Sequence, residues 1–105
     1  GGIRRTLEIA DVAQSAGVRL QVGCQVGEVA ILSAAGRHLA AYLDDVAFVE
    51  GSYGSMLLSE DIGEESIGFG SGGIGKVLRG PGLGVRVVDD RLLSCAESVT
   101  RLGAG

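Results

Sequence analysis

No apolar run in the chain approaches the ~20 residues needed to cross a bilayer, so no membrane-spanning segment is expected. Clustered basic residues are missing too. The nine Lys and Arg are scattered, the net charge is −4 and the pI is near 4.8. Phosphate binding needs such clusters, so a nucleic-acid partner is not expected. Cys24 and Cys95 lie far apart and form neither a Cys-x-x-Cys nor a Cys/His pattern. A buried, reduced thiol is the expected state of Cys24, which points to the cytoplasm. No secretory signal is recognisable. An initiator Met is also lacking: the chain opens Gly1-Gly2-Ile3-Arg4, as expected of a piece cut from a longer protein. Proline occurs once, at Pro81, and lysine once, at Lys76.

Glycine, by contrast, supplies 19 of the 105 residues, which implies many tight turns and close backbone approaches. An apolar fraction of 46% and a mean hydropathy of +0.34 argue against disorder. The length suffices for one modest domain.

Ile3 to Ala16 predicts a helix with a broad apolar face, built from Ile3, Leu7 and Ala10 together with Ile9, Val12, Ala13 and Ala16. Gly17 is its expected stop. Val18 to Gln25 alternates as a strand does, with Val18, Leu20 and Val22 on one face and Arg19 and Gln21 on the other. Val29 to Leu43 predicts a second helix with a stripe of Ile31, Ala34, Ala35, His38, Leu39 and Tyr42. Val46 to Glu50 is the next strand. Strand, helix and strand in this order form a parallel βαβ unit. Polar Arg19 and Gln21 suit the interior of a barrel or a site better than an open sheet buried on both faces.

After Glu50 the alternation stops. Gly51–Leu58 is expected as a loop, Ser59–Ser66 as an acidic connection of one helical turn, and Gly68–Gly84 as a glycine-rich stretch. A brief strand at Val85–Val88 and a turn at Asp89-Asp90 follow, then Leu92–Leu102 as a terminal helix or frayed tail. Two strands with one crossover leave both sheet edges open, so the chain reads as a segment of a larger α/β protein.

Gly70 to Lys76 matches the GxxxxGK phosphate loop. Val77 stands where Ser or Thr would hold Mg²⁺, and Gly80-Pro81-Gly82 leaves no room for the helix whose N-terminus meets the phosphates. A structural glycine loop is expected instead. Gly80, Gly82 and Gly84 fail as a dinucleotide fingerprint for the same reason.

Glu50, at the last position of a strand and before glycine, is the leading candidate for acid–base work. Glu28 is a second: it reaches the same pocket or favours the first turn of the following helix. Gln21 is a candidate pocket group if it faces inward. His38, inside a helix and far from the strand ends, reads as a packed or surface residue. Cys24 has no base near it in sequence and is not read as a nucleophile.

The segments GGI, VGCQVGE, ILSAAGRHLAA, FVEGSYGSMLLSEDI and FGSGGIGKVLRGPGLGVRV, in this order, resemble the C-terminal barrel region of the enolase superfamily. The closer likeness is to its muconate-cycloisomerase and mandelate-racemase-like branch. The resemblance implies an α/β fold, the C-terminal part of a (β/α)8 TIM-like barrel followed by a Gly-rich post-barrel tail. On that mapping residues 1–58 carry the sixth helix, seventh strand, seventh helix and eighth strand, and residues 59–105 are the post-barrel segment. The intact parent is then an isomerase or lyase that removes a proton next to a carboxylate, with Mg²⁺ stabilising the product of that step.

Glu50 matches the acid at the end of the eighth strand. Glu28 matches the glutamate after the Gly-Cys of the seventh, with Gly27 as an additional residue before it. Ser52 lies close enough to Glu50 to touch substrate. The family's metal carboxylates and lysine bases would all lie upstream of Gly1, so no metal ligand is assigned here and no turnover is expected from this chain alone. A histidine at the seventh strand is missing, which favours cycloisomerase-, succinylbenzoate-synthase- or dipeptide-epimerase-like chemistry. The implied partner is a small carboxylate-containing substrate, and the parent is expected to be a homo-oligomer. The alternative is a free-standing, non-catalytic α/β binding or interaction module.

Overall fold

The computed structural model describes residues 1–100, 102 and 103. Helix α1 (Ile3–Ser15) leads into strand β1 (Leu20–Val22), helix α2 (Ala30–Tyr42) and strand β2 (Val46–Val49). A single helical turn α3 (Gly54–Leu57), a 3-10 turn (Ser71–Gly73) and helix α4 (Asp89–Cys95) complete the described elements. No helix among them is long and apolar enough to cross a membrane.

Helix α1 ends as its sequence requires. Gly17 takes φ +73°, its N–H reaches the Gln14 carbonyl at 2.9 Å, and the Val18 N–H reaches the Ala13 carbonyl at 2.9 Å. This paired termination satisfies carbonyls that the helix leaves open, and a positive φ there favours glycine. Of the broad apolar face expected, only one side is used. Ala10 is buried, whereas Ile9 and Val12 are 68% and 70% exposed.

The strands pair in parallel, with Leu20 opposite Val46, Gln21 opposite Phe48 and Val22 opposite Val49. The register slips between Leu20 and Gln21. The Glu50 N–H extends the ladder to the Val22 carbonyl at 2.9 Å. β1 is shorter than the Val18–Gln25 expected, because Gly23 is followed by a turn closed by the Glu28 N–H on the Gln25 carbonyl. Helix α2 lies against the Val22 side of the sheet: a Cβ built on Gly36 would meet Val22 Cγ1 at 3.8 Å. Gln21 and Phe48, in register on the other face, are exposed.

Helix α2 has no cap of its own, since Val29 at its start carries no side-chain acceptor. Asp61 supplies one from 31 residues away: both carboxylate oxygens lie 3.0 Å from the Ala30 nitrogen, and Oδ1 also accepts from the Gly63 N–H at 2.8 Å. Gly63 permits this approach, for a Cβ there would stand 2.6 Å from the Ala30 Cβ. Farther along α2, His38 Nε2 meets the Leu83 carbonyl at 2.9 Å. The glycine-rich segment is thereby folded back along the helix. The buried face of α2 is Ala30, Ser33, Ala34 and Arg37, so Ile31 and Tyr42 of the expected stripe are exposed.

The second half of the chain differs from expectation in five places. The strand expected over Val85–Val88 is reduced to an isolated bridge at Val87, and the helix or tail expected over Leu92–Leu102 is a helix that begins at Asp89 and ends at Cys95. The loop expected over residues 51–58 contains α3. The acidic segment forms no helical turn; Gly63 instead makes an antiparallel bridge to Val87, flanked by Glu64 N–H to the Arg86 carbonyl and Val88 N–H to the Ile62 carbonyl, both 2.9 Å. Asp89 and Asp90 open α4 rather than forming a turn, where their charge favours the helix dipole.

The core is thin: Ala10, Ala30, Ala34, Ile62 and Ile67. The radius of gyration is 15.2 Å, against about 13 Å for a compact chain of this length. The accessible surface is 7872 Å², against about 5,500 Å² for a compact monomer of 10.6 kDa.

Candidate functional site

Because β1 and β2 run in parallel, their C-terminal ends fall on one side, and the chain leaving each strand brings a glutamate there. Gln21, Cys24, Glu28, Glu50, Ser52 and Phe69 line one cavity of about 510 Å³ at this edge. The first five come from the two strand ends. Phe69 is contributed by the glycine-rich segment.

Glu50 is exposed, and its Oε1 accepts a 2.7 Å hydrogen bond from Gln21 Nε2. That contact fixes one carboxylate oxygen and leaves Oε2 for a ligand. Gln21 and Glu50 therefore act as one unit across the strand pair.

Glu28 is arranged differently. It is only 9% exposed. Its Oε1 accepts from the Ser33 hydroxyl at 2.7 Å and the Ser52 N–H at 3.3 Å, and its Oε2 accepts from the Gln25 N–H at 3.1 Å. Buried polar groups require such partners. The carboxylate joins the β1 turn, helix α2 and the segment after β2 into one assembly.

Ser52 is buried with φ +61°, in the left-handed region. Its hydroxyl donates to the Ile67 carbonyl, and its own carbonyl accepts from the Ser55 hydroxyl at 2.7 Å. It borders the cavity, but its hydroxyl is engaged by the backbone.

Cys24 is half-buried and unpaired by any disulfide. Its thiol is pushed above its ordinary pKa, first by burial, then by the negative charges of Glu28 and Glu50. The sulfur is thus less ionised, and alkylates more slowly, than a free thiol at the same pH.

Among the described residues, no three His, Cys, Asp or Glu side chains converge in a way that could hold a metal ion. The donor set here does not fit Mg²⁺, since both Glu28 oxygens are taken by protein donors and Glu50 has no second free acid beside it. Lys76 sits in the glycine-rich segment, where its carbonyl accepts from Arg37. The described residues from Val77 to Val88 are not helical, and the next helix is α4.

The cavity thus brings together Gln21, Glu28, Glu50 and Ser52, all four singled out from the sequence. Missed were Arg37 and Phe69, whose ring centroid lies 4.6 Å from the Arg37 guanidinium carbon. Arg37 had a signal, because it stands at helical spacing from Ala30, Ser33 and Ala34, the small residues of a buried face. Phe69 had none, because its partner lies 32 positions earlier.

A parallel strand–helix–strand unit with carboxylates gathered at the strand ends belongs to the α/β class whose ligand sites form at that edge. Residues 1–91 match the family described as enolase C-terminal domain-like. The chain belongs to that family. Neither the curated proteins nor the solved structures compared with it gave a match.

Proposed function

We propose that this chain supplies the seventh and eighth strand ends of an enolase-superfamily barrel whose reaction removes a proton next to a substrate carboxylate. The observation that carries the reading is the Gln21–Glu50 pair: an acid at a strand end, held at one oxygen and open at the other. The family match over residues 1–91 supports membership of the superfamily on which this placement draws.

In this reading Glu50 contacts the substrate directly through Oε2, as a hydrogen-bonding or proton-bearing group. Gln21 fixes its orientation. Glu28 holds the two strand ends at a constant separation, which is what positioning a substrate demands. Ser52 contributes its backbone to the wall. The exposed Gln21–Phe48 face is the side that would line a barrel. Mg²⁺ enters only through the family, and no role assigned here passes through it. A small carboxylate is the substrate class, with cycloisomerase, succinylbenzoate-synthase and dipeptide-epimerase-like chemistries as the candidate reactions.

The test is a chimera in which residues 1–91 replace the matching segment of an enolase-superfamily enzyme. Loss of α-deuterium from a labelled substrate, followed by NMR, is expected to persist above the uncatalysed rate. A folded chimera with no exchange would contradict the assignment.

A further inference from the structure

Arg37 is a buried cation, 8% exposed, in the middle of a helix. Burying a guanidinium is costly unless its hydrogen bonds are met. Its partners are carbonyls rather than a carboxylate: Nη1 donates to Lys76 at 2.9 Å and Nη2 to Gly68 at 3.3 Å. The guanidinium lies over the Phe69 ring on one side. Gly75 touches it as well, since a Cβ there would stand 2.6 Å from the guanidinium carbon and from Nη1. The fork therefore ties both ends of the 68–76 loop to α2 and grips the one aromatic residue within it.

The result is a fixed position for that aromatic ring. A Cβ on Gly51 would meet Phe69 Cε2 at 3.7 Å and the Cys24 Cβ at 4.0 Å. Phe69 thus reaches the strand ends where Glu50 and Cys24 lie, and it borders their cavity. The guanidinium covers one ring face, and Phe69 is half-buried and lines the cavity, so only the part of the ring turned from Arg37 is left for a ligand. A planar apolar group packs well on such a surface.

We infer that Phe69 is a specificity-determining wall of this site, selecting carboxylates that carry an apolar, preferably aryl, group, and that Arg37 is the positioning residue that holds it there. The inference rests on the strand-end site proposed above and names the substrate class it takes.

The test uses the whole chain and reads protection of Cys24 from iodoacetamide, with Cys95 as an internal control. The probes are 3-phenylpropionate and propionate, which share a carboxylate and differ by a phenyl group. In the wild-type chain 3-phenylpropionate is expected to half-protect Cys24 at a concentration at least tenfold lower than propionate, with Cys95 unaffected. Phe69→Ala is expected to erase the difference. Arg37→Ala erases it with the ring still present, and Arg37→Lys, which keeps a cation over the ring, restores part of it. A merely structural Arg37 would leave the ratio intact in any variant that still shields Cys24 relative to the chain in urea. Should a variant lose that shielding, Phe69→Leu decides, since it retains apolar bulk and is expected to keep an intermediate preference. Equal protection by both acids in the wild type, no protection by either, or a preference that survives Phe69→Ala overturns the inference. Protection reads binding and not proton exchange, so an inactive chimera with the phenyl preference intact removes the proposed reaction alone. An active chimera without the preference removes only the Phe69 wall.

Discussion

Two glutamates at neighbouring strand ends receive opposite treatment. Glu28 is enclosed by three donors, whereas Glu50 holds one donor and faces outward. Removing the first leaves the Ser33 hydroxyl and two backbone N–H groups without an acceptor. Glu28→Ala is therefore expected to cost about 2–4 kcal/mol, seen as a lower urea midpoint. Glu28→Gln, whose amide oxygen still accepts from Ser33, is expected to cost less; equal midpoints for both variants would contradict the hydrogen-bond account. Cys24 gives a pH test. A thiol whose folded pKa is raised favours the protonated state, so its contribution to stability is intact below the ordinary thiol pKa of 9.0 and is lost as pH rises past the folded value. Alkylation of Cys24 is expected to reach half its maximal rate at higher pH than a free cysteine peptide. Glu50→Gln, which removes one of the raising charges, is expected to bring that midpoint down; no movement would show that burial and Glu28 raise it without Glu50. Glu50 and Gln21 were legible because alternation and strand end are local signals. The division of roles between the two glutamates was not, since Ser52 approaches Glu28 only through the fold.

At the scale of elements, the order helix, strand, helix, strand follows from periodicity, and the structure keeps it. What periodicity could not give is the orientation of α2. Its stripe was read as Ile31, Ala34, Ala35, His38, Leu39 and Tyr42; only Ala34 of these lies on the buried face, which runs through Ala30, Ser33, Ala34 and Arg37, because the returning chain packs closely there. Asp61 is the device that fixes this return. Its contact with the helix N-terminus joins residues 31 apart, so no window along the sequence contains it. Asp61→Ala is expected to lose about 1–2 kcal/mol, typical of a removed helix cap, with reduced helicity by circular dichroism. Asp61→Asn, which keeps one acceptor oxygen, is expected to recover most of it. Full stability in Asp61→Ala would mean that the segment is held by Arg37 and His38 without the cap. The turn at Asp89-Asp90 was misplaced for a related reason: two acids suit a turn and a helix N-terminus equally, and only the chain beyond decides.

The whole molecule carries more surface than its mass warrants, by about 2,400 Å² on the monomer scaling. That excess is of the size buried in an obligate interface. It includes Ile9 and Val12 on α1 and Phe48 on the sheet, all more than 60% exposed. Open strand edges foreshadowed a poorly closed unit, but the missing closure became measurable only with the packing in view. At tens of micromolar the chain is expected to run above 10.6 kDa by light scattering and to enhance the fluorescence of a hydrophobic dye. A dye-silent monomer with a sharp unfolding transition would contradict that reading and favour a free-standing module. The central claim is that Glu50 faces substrate in an enolase-superfamily barrel, and Glu50→Gln in the chimera carrying residues 1–91 tests it most directly. The expected result is a fall in kcat for α-proton exchange of at least 100-fold, with substrate affinity within threefold of the unmutated chimera. An unchanged kcat would contradict the claim and reduce Glu50 to a solvated charge at the rim.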